Sequence, residues 1–165
     1  MPTITPCLWF DTQALEAAEL YVSVFPGSEI TSVTRYGPDM PGPLQEGDVL
    51  TVELTLDGTP FTALNGGPQF TFSEAVSFQI SCRDQAETDH YWDSLVAGGG
   101  QESQCGWLKD RFGLSWQVVP TRLVELMADA DPARAQAAVQ AMLQMRRIVI
   151  ADAEAAADAA GRVMV

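Results

Sequence analysis

The feature that most constrains the fold is an internal repeat, because a strand, a helix and three further strands are predicted twice in succession. In the first half, a short apolar run ends at Asp11 and is followed by a helical pattern and three strand patterns. The second half has the same order, and Gln13-Ala14 recurs as Gln85-Ala86, 72 positions (85 minus 13) further along. Each pair closely follows a strand and an aspartate that can cap a helix. The repeat predicts two β-α-β-β-β modules, at residues 3–67 and 74–120.

The length favours one domain. A chain of 165 residues with 47% hydrophobic content can bury one ordinary core, so we predict a single domain over residues 1–165. Residues 131–160 form a predicted C-terminal helical extension, which is alanine-rich and opens at Asp131-Pro132. Its apolar stripe must be covered either by its own sheets or by a second subunit. The stripe consists of Ala135, Ala138, Val139, Met142 and Met145.

The charge and the hydropathy pattern exclude several classes of partner. The formal net charge is -13, so a polyphosphate backbone or an anionic lipid surface would be repelled. No apolar run approaches the roughly 20 residues that span a bilayer, and the first residues lack a basic region followed by an apolar stretch. We therefore predict a cytoplasmic protein with neither a nucleic-acid nor a membrane partner.

The cysteine and histidine content limits the possible chemistry. The three cysteines, Cys7, Cys82 and Cys105, form no CxxC pair, so neither a disulfide framework nor a zinc ribbon is indicated. The single histidine, His90, lies in the second predicted helix. Mononuclear catalytic zinc, iron and nickel sites usually take imidazole from two or more positions. Because the chain has one histidine, a multi-histidine metal site within one chain is excluded. Cys7 is a candidate nucleophile, but no histidine lies near it in sequence, which favours a small hydrophobic role.

Four stretches, in order along the chain, resemble one known family. They are "PCLWFDTQALEAAELYVSVFP", "LNGGPQFTFSEAVSF", "CGWLKDRFGLSWQVVP" and "AMLQM". They are similar to the PhnB-like branch of the glyoxalase, or vicinal oxygen chelate, superfamily, whose members often carry the name demethylubiquinone 3-methyltransferase. The resemblance covers nearly the whole chain. It implies an α+β fold in which tandem βαβββ modules curl a mixed sheet around a central cavity, the glyoxalase/bleomycin resistance protein/dihydroxybiphenyl dioxygenase fold. It also implies a homodimer, and this favours a partner subunit as the cover of the C-terminal stripe.

Strand alternation predicts which side chains face that cavity, because successive side chains point to opposite faces of a sheet. On the fifth strand, for example, Phe78 and Ile80 belong to an apolar face that should lie under a helix. Trp116 is likewise predicted to pack beneath a helix. The predicted cavity residues are Thr5, Cys7, Trp9, Ala63, Asn65, Ser77, Gln79, Trp107, Lys109 and Gln117.

The resemblance also implies where a metal would bind. Metal-using members of the superfamily take one ligand from each of the first, fourth, fifth and eighth strands, and the matching positions here are Thr5, Ala63, Ser77 and Gln117. Two hydroxyls, a methyl group and an amide cannot hold a divalent cation tightly, since such cations need carboxylate, imidazole or thiolate donors. We predict no cofactor, and a divalent metal held by other residues is the alternative.

Several polar residues have both a functional and a structural interpretation. Glu53 is the carboxylate that alternation puts on the cavity side, so it is a candidate general base, or it simply reaches water. Gln117 and Asn65 either hydrogen-bond a small ligand or satisfy each other or an ordered water. Trp107 either stacks on a flat substrate or packs in the core.

The basic residues also have two interpretations. Lys109 next to Asp110 is typical of a surface ion pair, with binding of an anionic substrate as the alternative. Arg146 and Arg147 suit the end of a helix, where they oppose its dipole.

Three hypotheses of function follow. The first is a metal-independent small-molecule binding protein. The second is a superfamily enzyme, such as a dioxygenase, isomerase or lyase, with a metal site rebuilt from residues such as Glu53. The third is a methyltransferase, as the inherited family name states, but the expected glycine-rich loop between a strand and a helix is missing from the pattern.

Overall fold

The computed structural model describes residues 4–42 and 44–161. The chain divides between Phe72 and Ser73 into two compact units. Among the described residues, no helix combines the length and the hydropathy needed to cross a membrane.

The first unit is a β-α-β-β-β module. Its elements are β1 (Cys7–Phe10), α1 (Ala14–Val24), β2 (Glu29–Arg35), β3 (Val49–Leu56) and β4 (Thr59–Asn65). The strands form a four-stranded sheet in the order β1-β4-β3-β2, in which β1 and β4 are parallel and the other pairs are antiparallel. Helix α1 lies on one face, where Ala14, Ala17 and Ala18 are fully buried beside β3. These small side chains let the helix approach the sheet closely.

The second unit repeats the module and adds three helices. Its elements are β5 (Ser77–Cys82), α2 (Gln85–Val96), β6 (Gln101–Glu102), β7 (Trp107–Lys109), β8 (Ser115–Pro120), α3 (Thr121–Met127), α4 (Pro132–Met142) and α5 (Ile150–Gly161). The strand order β5-β8-β7-β6 is that of the first sheet. Asp84 caps α2 by accepting a hydrogen bond from the Glu87 backbone N–H at 2.9 Å. The predicted α+β fold with tandem modules is confirmed, while the central cavity between them stays a prediction.

The C-terminal extension differs from the predicted helical segment of residues 131–160. It is broken into α4 and α5 by residues 143–149. The prediction that a second subunit covers its apolar stripe is wrong for the buried part of that stripe. Ala138 packs inside the second unit in a cluster with buried residues of α3 and α5, and Met142 and Met145 pack against that cluster. Helices α3, α4 and α5 of one unit therefore bury this part of the stripe.

The linker of residues 143–149 attaches the extension to the module. Its Met145 and Arg146 carbonyls accept hydrogen bonds from the backbone N–H groups of Cys105 and Gly106, at 2.8 and 2.7 Å. The Arg147 guanidinium pairs with two carboxylates of α2. It lies 3.1 Å from the Asp89 carboxylate, and it also contacts the Asp93 carboxylate. The interpretation of Arg146 and Arg147 as helix-dipole residues is thus wrong, because both lie outside the helices.

A substitution at Gln85 tests how much the attachment of the linker stabilises the protein. Its amide donates to the Ile148 carbonyl at 3.0 Å and accepts from the Ile150 N–H at 2.9 Å, where α5 begins. Gln85→Ala leaves both backbone groups without their partner, so we expect a loss of about 1–3 kcal/mol in the free energy of unfolding, measured by urea denaturation.

The repeat supplies the matched control for that experiment. Gln13 holds the corresponding position in the first unit, but its side chain is exposed and accepts a 3.3 Å hydrogen bond from the neighbouring Thr12 N–H. Gln13→Ala should change the free energy of unfolding by no more than about 0.5 kcal/mol. Equal losses of unfolding free energy in the two variants would show that the Gln85 contacts do not stabilise the protein.

Candidate functional site

The open face of the first sheet is defined by the register of β4. Thr62 pairs with Cys7 on β1 and with Glu53 on β3, and Leu64 pairs with Trp9. Paired residues on neighbouring strands point to the same face. Cys7, Trp9 and Glu53 therefore share the face opposite α1, as predicted, and Thr62 and Leu64 join them there.

The predicted orientation of Ala63 and Asn65 is wrong. Ala63 pairs with Leu8 and Val52, which are buried on the helix side of the sheet. Asn65 is buried there too, where its amide accepts from the Ala14 N–H at 2.8 Å and donates to the Val49 carbonyl at 3.0 Å. Its amide thus secures the start of α1, and neither residue belongs to the candidate site.

The open face of the first unit includes Trp9, which is held against a glycine loop. The indole N–H of Trp9 donates to the Gly67 carbonyl at 2.8 Å, and its ring contacts Phe70 edge to face with centroids 5.0 Å apart. Gly66 lies directly on the ring, since a Cβ atom there would come within 2.3 Å of it. The glycine at position 66, directly after β4, is therefore explained by close packing on Trp9.

The surroundings of Glu53 suit a catalytic carboxylate, whereas those of Cys7 do not suit a nucleophilic thiol. The Thr62 hydroxyl donates to the Glu53 carboxylate at 2.7 Å, which fixes the carboxylate on the open face. Burial, and next the negative charge of Glu53, raise the pKa of the Cys7 thiol. A raised pKa leaves less thiolate at neutral pH, which argues against Cys7 as a nucleophile. Thr5 is exposed and lies two residues before β1 begins.

The open face of the second sheet has the predicted orientation. Ser77 pairs with Ser115, and Gln79 with Gln117, across the parallel strands β5 and β8. Trp107 pairs with Gln117, and Lys109 with Ser115, across β7 and β8. Gln117 donates a hydrogen bond to the Ser77 hydroxyl at 2.9 Å. Trp116 is buried on the opposite face, as predicted. That these open-face residues bind a ligand stays a prediction.

A pocket of about 140 Å³ opens on this second face. It is lined by Glu74, Gln101, Glu102, Ser103, Trp107, Leu108, Lys109 and Ser115. The Lys109 ammonium pairs with the Glu74 carboxylate at 2.5 Å. The Ser115 hydroxyl is buried and has no hydrogen-bond partner within the described part of the chain.

The predicted ion pair between Lys109 and Asp110 is wrong, because the two side chains point to opposite sides of β7. Asp110 is only 2% exposed. Its carboxylate accepts hydrogen bonds from the Phe112 N–H at 2.9 Å, the Leu114 N–H at 3.1 Å and the Trp116 indole at 2.9 Å. A buried carboxylate that fixes the β7–β8 turn was not visible in the sequence, since nothing in "KDRFG" indicates burial.

A wider groove of about 440 Å³ lies on the first unit, beside α1 and the loop before β3. Glu16, Glu19 and Asp48 contribute carboxylates to it, and Arg35 donates to the Gly47 carbonyl at 2.8 Å. Asn65 reaches this groove, but its amide is occupied by the backbone of α1 and β3. The groove is acidic and lies apart from the open face of its sheet.

The residues present do not suit a divalent cation. In the second unit, the implied positions Ser77 and Gln117 are neutral and are hydrogen-bonded to each other. In the first unit, the implied position Ala63 lies on the helix face. Across residues 4–42 and 44–161, no group of three or more histidine, cysteine, aspartate or glutamate side chains is arranged to hold a metal ion. Neutral hydroxyl and amide donors repay the dehydration of such a cation poorly.

Comparisons with known proteins agree with this architecture. A family model described as 3-demethylubiquinone-9 3-methyltransferase matches residues 2–119. A PhnB protein from Bacillus cereus is 33% identical, with a TM-score of 0.65, and the match covers 72% of this chain and 99% of that one. A Pseudomonas aeruginosa structure is 21% identical, with a TM-score of 0.61 and coverage of 73% and 98%.

A glyoxalase/bleomycin resistance protein from Albidiferax ferrireducens is 14% identical, with a TM-score of 0.42 and coverage of 69% and 96%. No curated protein matches the chain. The family model ends at residue 119, before the three C-terminal helices begin. The model covers more than half of the chain and both repeated modules, and so the chain belongs to the 3-demethylubiquinone-9 3-methyltransferase (PhnB-like) family.

Proposed function

We propose that this PhnB-like, glyoxalase-superfamily protein is a metal-independent small-molecule binding protein. The observation that carries the proposal is the Ser77–Gln117 hydrogen bond on the open face of the second sheet. Where metal-using members of the superfamily would place ligands, this chain has a neutral pair that satisfies itself. Such groups orient a polar organic molecule through hydrogen bonds, since an amide offers both donors and an acceptor.

The proposed binding surface comprises the open faces of the two sheets, each taken separately. In the first unit it includes Thr5, Cys7, Trp9 and Thr62. In the second it includes Ser77, Gln79, Trp107, Lys109 and Gln117. Aromatic walls with a few fixed polar groups are typical of small-molecule sites. Assembly as a homodimer and a cytoplasmic location remain predictions from the resemblance and the composition.

A superfamily enzyme with Glu53 as a general base is the second candidate. The observation that favours it is the carboxylate position, because Glu53 lies on the open face and is fixed by the Thr62 hydroxyl. A general base must come within hydrogen-bond reach of the proton that it removes. Loss of turnover in Glu53→Gln, with ligand binding retained, would establish this role.

Methyl transfer, which the family's name describes, has little support from the architecture. A class I methyltransferase binds S-adenosylmethionine at a glycine-rich loop that joins a strand to a helix in a largely parallel sheet. Here Gly66 and Gly67 follow β4 but open no helix, and they pack on Trp9 instead. Both sheets are mixed and four-stranded. The residues present therefore do not fit that cofactor.

Two measurements test the proposal. Protein purified without chelators should contain no stoichiometric zinc, iron or manganese, and an equimolar metal would overturn metal independence. A thermal-shift screen of small aromatic and phosphonate-like compounds should find stabilisers, because binding to the native state adds stability by mass action. Gln117→Leu should abolish the shift for ligands of the second sheet. Absence of any stabiliser across a broad library would contradict the binding function.

A further inference from the structure

We propose that the pocket on the second unit is a site for a small carboxylic acid anion, which takes the place of the Glu74 carboxylate on Lys109. This inference rests on the proposed binding function and names a ligand class for one part of the surface. Three features support it: the ion pair between Lys109 and Glu74, the unpartnered hydroxyl of Ser115, and the size of the pocket.

The Lys109–Glu74 pair is asymmetric. Lys109 lies on β7 and its side chain is 31% exposed, whereas Glu74 precedes β5 and its side chain is 63% exposed. The strand thus fixes the cation, and the anion reaches it from a loop. Exposed ion pairs contribute little net free energy, so exchange of one carboxylate for another is readily reversible.

The Glu74 carboxylate is ionised at neutral pH, where such an exchange would take place. The hydrogen bond from Lys109, followed by a backbone hydrogen bond and the charge of Lys109, holds the pKa of Glu74 below its ordinary value. Glu74 is therefore a charged competitor at neutral pH. An entering ligand must carry its own negative charge to replace it on Lys109.

Ser115 supplies a second point of recognition. It pairs with Lys109 across β7 and β8, which places the two side chains next to each other on one face. Ser115 is 1% exposed, and its hydroxyl has no hydrogen-bond partner among residues 4–42 and 44–161. An unsatisfied buried hydroxyl is costly, so a ligand with a polar group beside its carboxylate would gain from pairing with it.

The pocket dimensions and neighbouring charges limit the ligand. A volume of about 140 Å³ is below the roughly 300–1,000 Å³ of pockets for drug-sized ligands, so it suits a small acid. The other carboxylate in the wall, Glu102, is paired with Arg146 at 3.5 Å and accepts a hydrogen bond from the Trp92 indole. Lys109 is thus the cation that an entering anion would meet within the pocket wall.

Lactate and its neutral amide, lactamide, are the matched probes. The Trp107 indole resonance, followed by NMR during titration, reports occupancy of the pocket. We expect lactate to bind and lactamide to bind at least about tenfold more weakly, because the amide cannot pair with the ammonium (about 1.4 kcal/mol per tenfold). Glu74→Gln should increase lactate affinity at least about fivefold, since the internal competitor loses its charge. Lys109→Met should abolish lactate binding while leaving the melting temperature near that of the native protein.

Two controls separate this site from general electrostatics. Glu29→Gln removes the same charge from an exposed position on the first unit and should leave lactate affinity unchanged. Ser115→Ala should weaken lactate binding more than propionate binding, because propionate lacks the hydroxyl. Equal gains from Glu74→Gln and Glu29→Gln, equal binding of lactate and lactamide, or retained binding in Lys109→Met would each overturn the inference. If lactate fails but the thermal-shift screen still finds ligands, the proposed function stands and only this ligand class is rejected.

Discussion

Asp110→Ala is expected to lower the free energy of unfolding by about 3–5 kcal/mol, because two buried donors and one half-buried donor would lose their acceptor at about 1–3 kcal/mol each with partial relaxation. The donors are the backbone N–H groups of Phe112 and Leu114 and the indole of Trp116. They join the β7–β8 turn to the core beneath the second sheet. Urea denaturation followed by circular dichroism measures the loss.

Two variants serve as controls for Asp110. Asp110→Asn keeps one oxygen for the turn but places an N–H group where the Trp116 indole needs an acceptor, so its loss should be intermediate. Asp152→Ala removes an exposed aspartate of α5 and should change the free energy of unfolding by no more than about 0.5 kcal/mol. A loss below about 1 kcal/mol for Asp110→Ala would contradict the anchoring role of the carboxylate.

Gly66→Ala is expected to cost about 1–3 kcal/mol of stability through overpacking. The added methyl group would lie 2.3 Å from the Trp9 ring, which is too close for any real contact. Either the ring or the loop after β4 must shift, and the hydrogen bond from the Trp9 indole to the Gly67 carbonyl would weaken. Urea denaturation measures the cost, and tryptophan fluorescence reports the displacement of the ring.

The control for Gly66 is a glycine with room for a side chain. At Gly37 a Cβ atom would lie 3.6 Å from the Met40 sulfur, which is ordinary contact, so Gly37→Ala should be nearly neutral. A double variant tests the cause, because the cost of Gly66→Ala should largely disappear in a Trp9→Ala background. Additive losses would show that the ring and the glycine do not interact.

Much of the fold follows from local signals. The repeated Gln-Ala pairs predict the order of elements in both modules, and Asp84 caps α2 as expected. Asp11 does not cap α1, because the N-cap position of that helix is Gln13, which makes no side-chain capping hydrogen bond. The orientation of the second sheet is also predictable, because "SFQIS" and "SWQV" alternate cleanly between polar and apolar residues. In these strands the hydrophobic pattern alone selects the buried face.

Other features depend on contacts that are remote in sequence. In β4, "FTALN" offers apolar residues in both alternations, so only pairing with β1 and β3 reveals that Ala63 and Asn65 are buried beneath α1. Lys109 meets Glu74 across 35 positions (109 minus 74), although Asp110 is its neighbour in the chain. The sequence likewise could not show that residues 143–149 interrupt the C-terminal helices, because the interruption is stabilised by Gln85 and by the Cys105–Gly106 turn.

The hydrogen bonds from the Cys105 and Gly106 N–H groups to the Met145 and Arg146 carbonyls join the second module to the C-terminal extension. Homologues that lack this extension cannot form them. The Bacillus cereus protein is covered over 99% of its length by a match that spans 72% of this chain, so it has little sequence left over for comparable helices. A homologue without them must leave the two amide groups to solvent or find other acceptors. Since β7 begins at the next residue, Trp107, grafting or deleting the helices would alter the starting point of the strand that bears Lys109. The appended helices are therefore an integral part of the second module, and variation within them would reach the pocket wall through the start of β7 without any change to the pocket's own residues.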